Sequence, residues 1–86
     1  MKNKLFQTLN EKEVIRENNG SIELLFFWYQ HPKKSHFRGQ IYDYAYDEVL
    51  YEKKVNNDED MKKVIKKYSR IVGKENLSSN LLEMSN

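Results

Sequence analysis

The longest apolar stretch of the chain, Ile22–Tyr29, alternates in a way that serves two faces at once. In an extended strand Ile22, Leu24, Phe26 and Trp28 point one way and Leu25, Phe27 and Tyr29 the other. Both sets are apolar, which predicts a central strand of a sheet. Upstream, Asn19-Gly20 is a strong turn signal. A two-residue loop there makes Val14–Asn18 and Ser21–Tyr29 a hairpin, with Arg16 opposite Glu23 and Ile15 opposite Leu24. A competing reading makes Asn10 a helix cap, with Glu13 closing a capping box, Leu9 stapled to Val14 and Gly20 ending the helix.

Downstream, Gln30–Phe37 reads as a polar loop around Pro32. Arg38–Tyr46 is predicted as the next strand, with Tyr42, Tyr44 and Tyr46 on one face and Ile41, Asp43 and Ala45 on the other. Val49–Val55 reads as a further strand, or Asp47 caps a short helix. From Asp58 to Val72 the period changes: Met61, Val64, Ile65, Tyr68, Ile71 and Val72 form one helical stripe. Asp58, Glu59 and Asp60 suit the positive end of that helix, Lys66, Lys67 and Arg70 the negative end, and Gly73 its C-terminal stop. Leu5, Phe6 and Leu9 fit a short helix or the start of a strand. Ser78 or Ser79 would cap a tail helix over about 78–84 carrying Leu81, Leu82 and Met84.

The expected fold is α+β: a small antiparallel meander of three or four strands with a C-terminal amphipathic helix packed on one face. One domain is expected over 1–86, its ordered core about 10–73. The element order is similar to that of double-stranded RNA-binding domains, which run helix, three strands, helix. Leu5–Leu9, the meander and the helix bearing Lys62-Lys63 would be the counterparts. The Ala-rich final helix of that family is absent, and Asp58-Glu59-Asp60 stand where it contacts phosphate, so the likeness implies topology alone.

Composition narrows the function classes. The 86 residues carry 15 basic and 13 acidic side chains, a net charge of +2, too even for a protein that coats phosphates. No cysteine is present, which removes disulfides, thiolate catalysis and Cys-based zinc sites and favours a cytoplasmic setting. No apolar run approaches a membrane span. Lys and Asn are abundant, a usage common in AT-rich genomes, including low-GC bacteria and their phages.

Nine of the eleven aromatic residues fall between Phe26 and Tyr51, interleaved with His31, Lys33, Lys34, His36 and Arg38. Rings beside cations stack bases and neutralise phosphates, and they also anchor protein interfaces. The plain alternative is sheet core, which favours aromatic residues. Lys62, Lys63, Lys66, Lys67 and Arg70 give the helix a basic outer face, which suits a track of phosphates or, more simply, a solvated helix surface, the acidic first turn opposing the former. His31 and His36, four residues of loop apart, do not match a metal-ligand spacing even with Asp43 or Asp47 nearby. No Gly-rich phosphate loop, Ser/His/Asp set or paired-carboxylate motif is present. No catalytic residue, metal or cofactor is therefore expected.

A sheet apolar on both sides needs two covers, and only one strong amphipathic helix is encoded. The weak termini or another molecule must cover the second face. The leading expectation is a non-catalytic binding protein that docks an aromatic-rich sheet surface onto another protein. A phage- or mobile-element-type inhibitor of host nucleic-acid machinery, such as an anti-defence or anti-CRISPR protein, is an example. The expected binding residues are Lys33, Lys34, His36, Arg38, Tyr42, Tyr44 and Tyr46. The alternatives are a module binding RNA or DNA through Lys33, Lys34, Arg38 and the tyrosines, and a small metal-independent ribonuclease using His31, His36, Lys33, Lys34, Glu48 and the tyrosines. Self-association into a homodimer is compatible with the same surface.

Overall fold

The computed structural model describes residues 4–85, the side chains of Met84 and Ser85 excepted. Its elements run α1 (Lys4–Lys12), β1 (Val14–Asn19), β2 (Ile22–Tyr29), β3 (His36–Asp43), β4 (Glu48–Val55), α2 (Asp58–Val72), a short 3-10 turn (Lys74–Asn76) and α3 (Ser79–Ser85). The strands form one antiparallel sheet in the order β1-β2-β3-β4. The α+β meander with a packed amphipathic helix is as expected; the strands number four, one more than in the RNA-binding topology.

The first hairpin forms, but its turn lies one residue later. Asn19 pairs with Ile22, which leaves Gly20-Ser21 as the loop, and Gly20 takes φ +59°. Arg16 therefore faces Leu25 and Ile15 faces Phe26. The shift moves every partner by two positions, so each side chain keeps its face. Arg16 and Glu23 still meet diagonally, at 3.0 Å. Asn10 is not a helix cap: it lies within α1, which ends as Glu13 turns to φ +69° and donates its N–H to the Leu9 carbonyl at 2.6 Å.

Two carboxylates distant in sequence hold the termini. Asp58 accepts from the N–H groups of Leu5 (3.2 Å) and Phe6 (2.7 Å), satisfying donors left free at the start of α1. Glu17 of β1 accepts from the N–H and hydroxyl of Ser78, at 3.1 and 2.5 Å, while Ser78 Oγ accepts from Leu81 N–H at the start of α3. Asn57 caps α2 by accepting from Asp60 N–H at 2.9 Å.

All three helices share one face of the sheet. The core gathers Leu24 and Phe26 of β2, Phe37 and Ile41 of β3, Val55 of β4, and Met61, Val64, Ile65 and Tyr68 of α2. Leu9, Leu77 and Leu81 complete it, so the core extends past the expected 10–73 span at both ends. Gly39 lets α2 come close: a Cβ there would lie 2.9 Å from Phe26 Cε1 and 2.9 Å from Val64 Cγ2. A bulge at Leu50, between the pairs Ile41–Tyr51 and Tyr42–Val49, lets Leu50 and Tyr51 both rest on this core.

Candidate outer-face docking site

The opposite face of the sheet follows from the register. Its rows across β1 to β4 are Val14, Phe27, Arg38, Lys54; then Arg16, Leu25, Gln40, Glu52; then Asn18, Glu23, Tyr42, Val49. Tyr29 and His36 pair beyond the first row. Leu25 and Phe27 are half-buried and stand outside the core cluster; Val14, Tyr29 and Val49 are exposed. No helix among the described residues lies on this side. The terminal helices reinforce the cover that α2 already provides.

Charges on this face are mostly tied to one another. Glu52 receives Arg38 Nε in a short ion pair and Gln40 Nε2 at 3.1 Å. Glu23, buried although it lies on the outer side, takes Arg16 Nε and the Tyr44 hydroxyl, the latter at 2.9 Å. That hydrogen bond, then partial burial and the charge of Glu23, raise the Tyr44 phenol above its ordinary range. The register sets Arg16 beside Leu25 and Arg38 beside Phe27, so these ion pairs border the apolar centre.

The expected row Tyr42, Tyr44 and Tyr46 is not a strand row. Strand β3 stops at Asp43, whose carboxylate accepts from Ala45 N–H (2.9 Å) and Ser21 Oγ (3.2 Å). Residues 44–47 form a turn, with Asp47 at φ +52°, so Asp47 does not cap a helix. Tyr44 folds back onto Tyr42, ring centroids 4.7 Å apart, and stays on the rim of the face. Tyr46, within the turn, is 79% exposed.

At the other end, the β2–β3 loop gathers the remaining expected residues. Tyr29 sits 5.3 Å from the His36 ring and 6.1 Å from the His31 ring, with the Arg38 guanidinium 5.7 Å from its centroid. The imidazoles hold the loop. His31 Nδ1 accepts from the N–H groups of Lys33 (3.1 Å) and Lys34 (3.4 Å). His36 Nδ1 donates to the Lys34 carbonyl, while Nε2 accepts from Arg38 Nη1, each at 3.1 Å. Both nitrogens of His36 and one of His31 thus take part in hydrogen bonds that shape this loop. Lys33 and Lys34 project into solvent. Among the described residues no group of three or more His, Cys, Asp or Glu side chains is arranged to hold a metal, and no helix is long and apolar enough to cross a membrane.

The expected set omitted the residues at the centre of this face, Leu25 and Phe27, together with Val14. Their signal was present in the two-sided pattern of β2. Neither a family model, nor a curated protein, nor a solved structure matches the chain.

Proposed function

We propose that this chain is a non-catalytic binding protein whose outer sheet face docks onto a protein partner. One observation carries the reading: Leu25 and Phe27, with Val14 and Tyr29 at their margin, lie on a face that no described segment covers. An apolar centre rimmed by polar side chains is the usual anatomy of a protein interface. Aromatic residues and arginine, the side chains most enriched at interface hot spots, are both present here. The ion pairs favour a protein over a nucleic acid. Arg16 and Arg38 already face Glu23 and Glu52, so a phosphate chain would have to displace carboxylates that the sheet holds in place.

The test compares immobilised wild-type chain with a Leu25→Glu/Phe27→Glu variant whose circular dichroism matches wild type. Both are exposed to nuclease-treated lysates, beginning with hosts of AT-rich phages and mobile elements, where the residue usage directs the search. A protein retained by wild type and lost by the variant supports the proposal. Identical retention by both chains refutes it. Retention on RNA or DNA at low salt, with affinity falling steeply as salt rises, would replace it with the nucleic-acid reading.

A further inference from the structure

Strand β2 ends in two aromatic residues that emerge on opposite sides of the sheet. Tyr29 belongs to the outer face. Trp28 points to the helix side, yet it is 45% exposed where its strand neighbour Phe26 is fully buried. The helical cover stops short of it. Its ring meets Phe37 edge-on at 4.8 Å, and Phe37 meets Phe6 at 5.7 Å, so the exposed indole is braced against the core by a row of rings.

Trp28 forms a wall of an open cleft of about 440 Å³ whose other lining residues are Asn10, Glu13, Gln30 and Phe37. Asn10 and Glu13 come from the C-terminal end of α1, where the helix dipole is negative. Glu13 holds φ +69°, a conformation that Gly or Asn takes with less strain at a helix end. Its carboxylate forms no ion pair among the described residues. Among the described residues no cationic side chain lines the cleft. Lys12, the nearest in sequence, lines a separate cleft with Val14, Arg16 and Asn80.

The cleft thus offers an indole ring, a carboxylate, two amide side chains and a helix end of negative potential. A planar organic cation satisfies all of them: its flat face stacks on the indole and its N–H groups fork onto the carboxylate. We propose that this cleft receives the guanidinium of an arginine side chain presented by a partner protein. The site is separate from the outer face and stands without it.

Trp28 is the only tryptophan of the chain, so emission excited selectively at the indole, beyond the absorption of the six tyrosines, reads this cleft. The probe is the capped peptide acetyl-Gly-Arg-Gly-amide. Its control carries citrulline, which keeps the shape of the side chain and removes its charge. The arginine peptide should change the emission saturably and the citrulline peptide should not. Glu13→Gln should weaken the arginine peptide about fivefold or more, as loss of a charge-assisted pair implies. Leu25→Glu, on the other side of the sheet, should leave it unchanged. The proposal is overturned by an absent saturable response, by equal binding of the citrulline peptide, or by affinity unchanged in Glu13→Gln. It is equally overturned if Leu25→Glu abolishes the response.

Discussion

Adjacent leucines of β2 provide a direct measure of whether the outer face is open in solution. Leu24 is fully buried, opposite Ile41 and beneath α2; Leu25 is half-buried between Arg16 and Gln40. The same substitution at both positions changes only the side of the sheet. Leu24→Ala removes a wholly buried side chain and leaves a hole, which should cost about 2–5 kcal/mol. Leu25→Ala gives up only part of a burial worth about 1.5–3 kcal/mol when complete, and opens no cavity because water already reaches the site, so about 1 kcal/mol is expected. Urea titration in the cold, followed by circular dichroism, would resolve the two midpoints. Since a domain of this size has a net stability of only ~3–5 kcal/mol, Leu24→Ala should sit near the edge of folding while Leu25→Ala remains cooperative. Equal costs would refute the reasoning, because they would mean that something covers Leu25. Repeating the titration at two protein concentrations identifies that cover: a midpoint that rises with concentration is a second copy of the chain.

Gly39→Ala should destabilise by about 1–3 kcal/mol, because the new methyl group meets Phe26 and Val64 at 2.9 Å; adding Val64→Ala should cost less than the two single losses summed, read by thermal unfolding. The buried Tyr68 hydroxyl has no hydrogen-bond partner among the described residues, so Tyr68→Phe should be neutral or stabilising by about 1 kcal/mol in the same assay. Burial, and secondarily the charge of Glu17, push the Tyr68 phenol to about 12. The native chain therefore keeps a proton that the unfolded chain releases near pH 10. Stability should fall by about 2 kcal/mol from pH 10 to 12 in wild type, and by less in Tyr68→Phe. Partial burial opposes ionisation of Asp60, yet the hydrogen bonds from Lys53 Nζ (2.7 Å) and Asn56 N–H (2.8 Å) prevail and hold its carboxyl below the ordinary range. Its contribution is complete above the unfolded value and is lost as pH falls through the lower folded one, so Asp60→Asn should reduce stability at pH 7 and flatten the acid limb of the unfolding curve.

The elements that local pattern determines were legible in the residues. The stripe of α2 runs over Asp58–Val72 in both the reading and the structure, because a 3.6-residue period sustained over four turns has no strand counterpart. The double face of β2 was equally plain. What failed was decided at one or two side chains. The Tyr42–Tyr46 alternation looks extended, but the Asp43 carboxylate captures Ala45 N–H and ends the strand, a competition that a period-2 count does not register. The hairpin turn lies at Gly20-Ser21 because β1 continues through Asn19. The ends of α1 and α3 depend on Asp58 and Glu17, fifty or more residues away, and no local window contains both partners.

The placement of the terminal helices has the greatest functional consequence, and amphipathic pattern alone is silent on it. Leu5, Phe6 and Leu9 specify that a helix has an apolar side, not which face of the sheet receives it. Two restraints decide the matter. Asp58 stands at the start of α2 and draws the start of α1 to the helical side; Glu17 points to that side from β1 and draws the start of α3 there as well. Both are carboxylates satisfying N–H groups at helix starts, contacts that cannot be exchanged for apolar ones on the far face without leaving those donors bare. The chain therefore commits its whole helical content to one side through polar bonds, while Leu25 and Phe27 remain on the other. If the outer face is a docking surface, those two carboxylates keep it clear. Glu17→Gln and Asp58→Asn should then loosen the termini, raising amide exchange in α1 and α3, without protecting β2 on its outer side.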